Sequence, residues 1–294
     1  MSRELILVTG AAGKTGVAVS RALVRSGQAV RAWVYRREHR SCLEAIGVSE
    51  IVEGDFRDQR ALRTAVAGSS AIYHICPNMN PLEVPIGQSI LEAAQSLGVR
   101  RFVFHSVLDP HVEAMPHHWH KGRVEELLME TDLEVTILRP AAYMQNFLGQ
   151  WTEVVQQGVL EVPYAVSSRI ALVDLEDVAE AASRVLSESG HRGSIYELCG
   201  EAGPDQREIA GVFSECLQRP VRAQKISRSV WARQAKEIGL NGQRLEAFLR
   251  MFRYYEERGM RGNLEDLQAL LGRPPRTFRD FVTTRLTMGS SISS

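Results

Sequence analysis

Residues 5–16 read Leu-Ile-Leu-Val-Thr-Gly-Ala-Ala-Gly-Lys-Thr-Gly, and this stretch decides the fold. Its first four residues are apolar, too few for a helix, and they run directly into a glycine-rich turn that a helical pattern follows. A strand, a glycine turn and a helix in this order form the phosphate-binding opening of a βαβ unit. We expect Gly10 to allow the tight turn, Gly13 to let the backbone approach a pyrophosphate, and Gly16 to let the helix pack closely on the strand.

The segment Gly13-Lys14-Thr15 also matches the end of a nucleotide triphosphate P-loop. That motif requires a second glycine five residues before Gly13, and position 8 is a valine inside the predicted strand. Residues 170–174 have the form of a strand that ends in a metal-binding aspartate, but they do not replace the missing glycine. We therefore reject the P-loop and predict a dinucleotide site at the turn, formed by Gly10, Ala11, Ala12, Gly13, Lys14, Thr15 and Gly16.

The composition is that of an ordinary soluble globular protein, with 294 residues, 44% hydrophobic side chains, 24% charged side chains and no net charge. The balanced charge argues against nucleic acid as a partner. Residues 221–294 are more basic, with fourteen lysines and arginines against seven acidic residues, which solvated helix faces explain more simply than an acidic partner does. The sequence shows no signal peptide, no apolar run near 18 residues and no metal-type cysteine spacing. We expect a cytoplasmic protein that needs neither membrane nor metal.

Short apolar runs alternate with helical patterns as far as the Arg139-Pro140 dipeptide. Strands are predicted at 5–8, 29–35, 51–52, 71–75, 101–106 and 134–138. A helix is expected between each pair, the last around residues 120–130. Six such strands without hairpin signals predict an α/β fold, a doubly wound parallel Rossmann sheet.

The remainder of the chain is predicted to be mainly helical. We expect residues 1–145, with 169–200 packing back on them, to form the dinucleotide-binding domain. Residues 146–168 and 201–294 are expected to form a smaller, mainly helical C-terminal substrate lobe, with a last helix capped by Thr277 and Asp280. A final tail of residues 290–294 is serine-rich and predicted to be disordered.

The second predicted strand indicates which dinucleotide binds. It ends in Arg36-Arg37, without the carboxylate that an NAD site places at this position for the ribose 2′-hydroxyl. Arg36 lies twenty residues after Gly16, where an arginine meets a 2′-phosphate, and Lys14 is a second nearby cation. We predict that NADP(H) is preferred over NAD(H).

The chain resembles the NmrA-like family of atypical short-chain dehydrogenase/reductases over nearly its whole length. The motifs that carry the resemblance are Gly10-x-x-Gly13-x-x-Gly16 with Arg36, Asp55-Phe56, His117-His118-x-x-Lys121-x-x-Val124-Glu125-Glu126, and Thr136-Ile137-Leu138-Arg139-Pro140-x-x-Tyr143. The resemblance implies a Rossmann domain that binds NAD(P) and a small, variable substrate lobe. It also implies an adenine contact at Asp55-Phe56, for which a purely structural role in the loop is an equal alternative. The predicted cofactor site is completed by Ile75, Cys76 and Pro77 after the fourth strand, by Lys121 and by Pro140.

The same resemblance points to the catalytic residues. Short-chain enzymes use a serine and a Tyr-x-x-x-Lys pair, in which the tyrosine supplies the proton and the lysine holds the nicotinamide ribose. Lys121 matches the lysine and Ser106 the serine, but His117 stands at the tyrosine position. Three proton donors stay open: the imidazole of His117 or His118, Lys121 itself, and Tyr143 after the sixth strand.

Large side chains near the expected mouth of the site predict an apolar substrate pocket, although such residues are more often core. The predicted pocket residues are Asn78, Trp119, Tyr143, Phe147 and Trp151. We predict an NADPH-dependent reductase, an oxidoreductase that transfers hydride to a small, largely apolar acceptor such as a quinone, enone or imine. The alternative is a non-catalytic NADP-binding redox sensor that acts through protein partners. Both functions are compatible with a homodimer or with a protein partner that binds the C-terminal lobe.

Overall fold

The computed structural model describes residues 4–290, which divide into two compact units. The first unit comprises the described residues up to Glu113, then His117–Arg139 and Val178–Tyr196. The second comprises Ala114–Pro116, Pro140–Asp177 and the described residues from Glu197. The chain thus leaves the first unit after Arg139 rather than after residue 145, and residues 169–177 group with the second unit. The predicted disordered tail lies outside the described residues from position 291 onward.

Strands and helices alternate strictly along the first part of the chain. In order they are β1 (Leu5–Val8), α1 (Lys14–Arg25), β2 (Ala29–Val34), α2 (Arg40–Ile46), β3 (Glu50–Glu53), α3 (Gln59–Val66), β4 (Ala71–His74), α4 (Glu83–Ser96), β5 (Arg101–His105), α5 (Pro116–Met129) and β6 (Glu134–Pro140). A short 3₁₀ helix, Arg37–His39, precedes α2.

The later part of the chain contains more helix. Its elements are β7 (Ala142–Tyr143), a 3₁₀ helix (Met144–Gln150), α6 (Trp151–Gln157), β8 (Val159–Val162), β9 (Leu172–Val173), α7 (Leu175–Ser187), β10 (Ile195–Leu198), α8 (Gln206–Leu217), β11 (Arg222–Lys225), α9 (Arg228–Glu237), α10 (Gly242–Arg258), α11 (Glu265–Leu271) and α12 (Phe278–Ser290). Among the residues that the structure describes, no helix has the length and apolar character required to cross a bilayer.

Within residues 4–290, seven strands form one sheet in the order β3-β2-β1-β4-β5-β6-β10. The central strand β1 pairs in parallel with both neighbours, so that Ile6 lies opposite Val30 on β2 and Ala71 on β4. The pairs β2–β3, β4–β5 and β5–β6 are parallel as well. The predicted doubly wound α/β fold is confirmed. Because the strand order changes direction at β1 and β4, their carboxyl ends flank the crevice in which such sheets bind ligands.

Burial explains why the strands read as continuous apolar runs. Every residue of β4 is buried, and Ile6, Leu7 and Val8 of β1 are at most 1% exposed. Strands covered by helices on both faces have no solvent face that would favour alternating polar residues.

Two helix caps use residue types that the sequence places directly before a helical pattern, Asp58 before Leu62, Ala65 and Val66 and Thr277 before Phe281 and Val282. Asp58 accepts hydrogen bonds from the N–H groups of Arg60 and Ala61 and begins α3. Asp280 accepts from the Thr277 N–H at 2.9 Å, and the Thr277 hydroxyl accepts from the Asp280 N–H at 3.1 Å, which is the predicted cap of α12. The start of α5 differs from the prediction, because it lies at Pro116, four residues before the expected start.

The second unit contains two small sheets whose pairing the sequence did not predict, although β9 lies within residues 170–174, which have the form of a strand. Strands β8 and β11 pair in parallel, and β7 pairs in parallel with β9. Buried Asp177 accepts a hydrogen bond from Arg273 Nη2 at 2.8 Å and another from the backbone N–H of Arg276 at 2.6 Å. This carboxylate thereby joins α7 to the segment that precedes α12.

Candidate functional site

The glycine turn between β1 and α1 has the close packing that a dinucleotide site requires. Gly10 adopts a φ of +57°, and a Cβ on it would lie 2.8 Å from the carbonyl oxygen of Ile75 at the end of β4. A Cβ on Gly16 would lie 2.3 Å from the Gly10 oxygen and 2.6 Å from the Cα of Ala11. Neither position has room for a side chain, so both predicted glycine roles are consistent with the local geometry.

Gly13 is different, because its backbone is ordinary. It forms the N-cap of α1 with φ −73° and ψ 159°, and a Cβ there would meet only the Gly10 oxygen, at 3.3 Å. Gly13 is exposed, and the cap carries no side-chain hydrogen bond. A side chain at position 13 would therefore need only a small shift of the Gly10 oxygen, and it would occupy the space in front of the helix N-terminus, where an anion can approach. The turn fits a pyrophosphate.

The turn is fixed to its neighbouring strands by buried contacts. Ala11 is fully buried, and its N–H donates to the Trp33 carbonyl on β2 at 3.3 Å. The Thr9 hydroxyl accepts from the Ile75 N–H and bonds the imidazole of His74, both at 2.9 Å. These bonds hold the ends of β1, β2 and β4 together. Ala12 is half-buried and Thr15 is buried in the first turn of α1.

Basic groups lie at the predicted positions for a 2′-phosphate. Arg36 follows β2, is 64% exposed, and pairs with Glu38 at 3.2 Å. Lys14 begins α1 and is exposed, yet desolvation by the surrounding protein lowers its pKa. The first turn of α1 contains no acidic residue. Because an exposed ion pair contributes little, the Arg36 guanidinium can exchange Glu38 for a phosphate at small cost.

The two residues of the predicted adenine contact have separate surroundings. Asp55 binds the Arg57 guanidinium through both carboxylate oxygens, and this hydrogen bonding holds the pKa of Asp55 below its usual range. Phe56 packs its ring against Trp33, with centroids 4.6 Å apart. Asp55 is therefore paired within its own loop.

The residues after β4 differ in exposure. Ile75 is half-buried, Cys76 is buried, and Pro77 and Asn78 are exposed. Burial raises the pKa of the Cys76 thiol, and the charge of Glu83 raises it further. Cys76 is therefore a neutral thiol.

Lys121 lies on α5 and contacts the carboxyl end of β5. Its Nζ donates to the His105 carbonyl and to Glu83 Oε1, both at 2.9 Å, and lies 5.1 Å from the ring centre of Phe104. Glu83 is buried at the start of α4, whereas the Lys121 side chain remains 13% exposed. The lysine is therefore held between two elements of the first unit.

Ser106, the predicted catalytic serine, is buried and directs its hydroxyl inward. It donates to Glu125 on α5. The same carboxylate binds Arg139 on β6 through two bonds, of 3.1 and 2.5 Å. Ser106 thus joins β5 to a buried ion pair.

The histidines expected on a loop lie in the first turns of α5. His118 donates from Nδ1 to the Leu108 carbonyl at 2.7 Å, and its ring lies edge-on to that of His117 at 4.3 Å. Burial, aided by the neighbouring histidines and by Lys121, lowers the pKa of His117 to about 2. Burial also lowers the pKa of His118 to about 4 and that of His74 to about 3. These three imidazoles are therefore neutral at physiological pH.

The predicted pocket residues have varied environments. In the first unit, Trp119 stacks under the Arg123 guanidinium, 4.1 Å from its ring centre. In the second unit, Phe147 and Trp151 belong to an aromatic cluster with Phe213, Phe278 and Phe281, and centroid distances run from 4.9 to 6.4 Å. Tyr143 is half-buried on β7 opposite Val173, and Pro140 is buried. The cluster supports the helices of the second unit.

Two buried carboxylates, Glu83 and Glu125, were missed by the sequence reasoning. Glu83 carries one signal: it lies three residues before Ile86 and seven before Ile90, on the face of α4 that is buried. An acidic residue on an apolar helix face is expected to have a cationic partner, which the sequence does not identify.

Comparison with known proteins places the whole chain in one group. The model of the NmrA-like family matches residues 2–276. A reductase from Streptomyces griseus subsp. griseus, named (4-alkanoyl-5-oxo-2,5-dihydrofuran-3-yl)methyl phosphate reductase, is 30% identical over 280 residues, or 94% of this chain and 96% of that protein. Quinone oxidoreductase 2 of Escherichia coli (strain K12) is 26% identical over 285 residues, or 95% of this chain and 98% of that protein.

A solved structure has the same fold. The NADPH-dependent quinone oxidoreductase of Escherichia coli, in complex with NADPH, matches with a TM-score of 0.84 and 25% identity. The match covers 96% of this chain and 99% of that one.

Substitutions at two glycines should separate ligand binding from folding. We expect Gly13→Val to fold normally and to lose dinucleotide binding, because its side chain would lie where the anion approaches. Gly16→Val should instead destabilise the fold, because its Cβ has no room beside the Gly10 oxygen. The measurements are thermal unfolding and titration with NADPH. Tight binding by Gly13→Val would contradict the assignment of the turn.

The buried histidines predict acid sensitivity. His74, His117 and His118 have lower pKa values in the folded state than in the unfolded chain. Between about pH 6.5 and pH 4, their imidazoles therefore bind protons in the unfolded chain but stay neutral in the folded protein. The free energy of unfolding should therefore fall by roughly 1.4 kcal/mol per pH unit for each group as the pH decreases through this window.

Denaturant unfolding between pH 7 and pH 5 measures this slope. His117→Phe should reduce it, since the buried Nδ1 of His117 has no hydrogen-bond partner to lose. The exposed Lys236 on α9 provides the control variant, Lys236→Met, which leaves every histidine in place and whose slope should match that of the parent. Equal slopes for all three proteins would refute the low pKa of His117.

Proposed function

The chain belongs to the NmrA-like family, and we propose that it is an NADPH-dependent reductase that transfers hydride to a small, largely apolar acceptor. The observation that carries the proposal is the glycine turn at the N-terminus of α1, where Gly10 and Gly16 have no room for a side chain and Gly13 leaves the helix end open. The full-length similarity to two reductases supports the same conclusion.

The preference for NADPH rests on charge. Arg36 and Lys14 supply two cations near the end of β2 and the start of α1, and positions 35–37 read Tyr-Arg-Arg without a carboxylate. A guanidinium binds a phosphate through two charge-assisted hydrogen bonds, which NADH cannot offer at its 2′-hydroxyl. The similar Escherichia coli enzyme was solved with NADPH.

The reaction rests on Lys121. When bound, reduced nicotinamide supplies the hydride. Lys121 uses two of its three N–H donors on Glu83 and His105, which leaves one for the ribose or for an oxygen of the acceptor. Since His117 is neutral and Ser106 donates inward, neither of these side chains carries the proton in this proposal.

The acceptor class follows from this arrangement. Quinones and enones take hydride first and form an oxyanion that a neighbouring ammonium stabilises, and water can supply the proton afterwards. An imine needs a proton together with the hydride, so quinones and enones fit better than imines. One relative is named for a quinone and the other for an unsaturated oxo-furan ring, which supports this choice.

Single-turnover oxidation of NADPH tests the proposal directly. The panel should contain quinones, enones and imines, and we expect the fastest oxidation with a quinone or an enone. Tight NADPH binding with no oxidation by any member would overturn the reductase and favour the non-catalytic sensor.

The assignment of Arg36 to the 2′-phosphate predicts how its loss changes the selectivity for NADPH over NADH. Losing a bidentate contact to the 2′-phosphate costs about 1.5–3 kcal/mol, so Arg36→Ala should weaken NADPH binding at least roughly tenfold. NADH affinity should hardly change, because NADH lacks this phosphate. Calorimetric titrations with both cofactors measure the difference. Equal losses of affinity for the two cofactors would show that Arg36 does not bind the 2′-phosphate.

Lys121 should affect binding and rate together. Replacing Lys121 by Met keeps the length of the side chain and removes the charge, so we expect a higher NADPH dissociation constant and a rate lower by roughly 10²-fold. Lys236→Met, at an exposed position on α9, is the control and should match the parent. Unchanged single-turnover oxidation by Lys121→Met would show that the lysine lies outside the reaction.

A further inference from the structure

A buried carboxylate lies directly behind Lys121. Glu83 is the first residue of α4 and only 3% exposed, and its Oε1 accepts from Lys121 Nζ at 2.9 Å. Glu83 is not among the catalytic residues that the sequence predicts. The thiol of Cys76, at the end of β4, is its other polar neighbour and stays neutral. Lys121 is therefore the cation that balances this charge.

The helix favours a charge at this place. Glu83 stands in the first turn of α4, where the positive end of the helix dipole stabilises a carboxylate. Its own N–H donates to the Asn80 carbonyl at 3.2 Å, which fixes the start of the helix. The carboxylate is thus held by the backbone of α4 and not by a mobile loop.

Lys121 is fixed from the other side by β5. Its Nζ reaches the His105 carbonyl at 2.9 Å and rests over the Phe104 ring. A long lysine side chain usually samples many rotamers, and ordering it costs conformational entropy. Here an acceptor on α4, an acceptor on β5 and an aromatic ring confine it to one position, with one N–H left over.

A gain in folding stability does not by itself explain why the protein contains the buried Glu83–Lys121 ion pair. Burying two charges is expensive, and an apolar pair of similar volume is often as stable as a buried ion pair or more stable. A pair that does not strengthen the fold is better explained by the position that it gives to the lysine. The positioned ammonium lies beside the carboxyl end of β5, on the edge of the sheet where ligands bind.

We propose that Glu83 is a positioning residue that holds the Lys121 ammonium in place for the bound cofactor. The inference rests on the proposed function, since it assigns Lys121 to the NADPH site. Glu83 acts only through Lys121 and touches neither cofactor nor acceptor. It should therefore matter only while the lysine is present.

A double-mutant cycle tests this dependence. The proteins are the parent, Glu83→Gln, Lys121→Met and the double variant, each as the full chain, and the readouts are NADPH affinity, single-turnover oxidation with a quinone, and thermal unfolding. Groups that orient a binding side chain typically change function by about 10–100-fold when they are removed. We expect Glu83→Gln to weaken NADPH binding about tenfold in the parent and to have no further effect in the Lys121→Met background.

Thermal unfolding separates positioning from stability. Glu83→Gln leaves the ammonium buried without its counter-charge, so its Tm should fall, and the double variant should recover Tm without recovering NADPH affinity. If Glu83→Gln alone does not fold, the comparison of Lys121→Met with the double variant still measures whether Glu83 acts without the lysine. Glu50→Gln, which breaks the Arg31–Glu50 pair between β2 and edge strand β3, is the matched control and should keep parental affinity.

Two results would overturn the positioning role. One is parental NADPH affinity and rate in Glu83→Gln. The other is an equal loss of affinity from Glu83→Gln with and without Lys121, which marks a general disturbance of the fold. A parent that binds NADPH tightly but reduces no acceptor refutes the reductase and leaves the binding cycle valid. A parent that does not bind NADPH refutes both proposals.

Discussion

The first unit depends on one close approach, between the start of α1 and the end of β1. A Cβ on Gly16 would lie 2.3 Å from the Gly10 oxygen, and a Cβ on Gly10 would lie 2.8 Å from the carbonyl oxygen of Ile75, just after β4. These contacts fix where α1 begins relative to the sheet. Because the helix N-terminus then faces the crevice between β1 and β4, the same constraint that closes the turn also creates the anion site.

Several polar groups at the strand ends bond to other groups of the first unit. Lys121 binds Glu83, Ser106 binds Glu125, and Thr9 binds His74. Buried polar groups generally need such partners, and the buried Nε2 of His74 is an exception that has no protein partner among the described residues. The three bonded pairs orient their side chains before a ligand binds.

The sequence predicted the fold well because its signals were local. The glycine turn, the apolar strands and the caps at Asp58 and Thr277 depend on neighbouring residues, and all of them agree with the structure. Strand β11 was not predicted because Arg222–Lys225 contains no β-branched or aromatic residue. The hydrogen-bond partners of Ser106 and Lys121 were not predicted. Glu125 and Glu83 reach them through the tertiary fold, and spacing along the chain does not reveal such pairs.

The histidine at the position of the usual tyrosine changes the chemistry that the site supports. In the family pattern a tyrosine at this position supplies the proton, whereas His117 is half-buried and desolvation lowers its pKa to about 2. The ammonium of Lys121 is one reason for that low value, since a second positive charge close by is unfavourable. Desolvation is the larger cause, and the charge of Lys121 adds to it. Under the proposed function, the same ammonium would stabilise an oxyanion. Acceptors that form a stable anion on receiving hydride fit that proposal best, because their proton can arrive later from water.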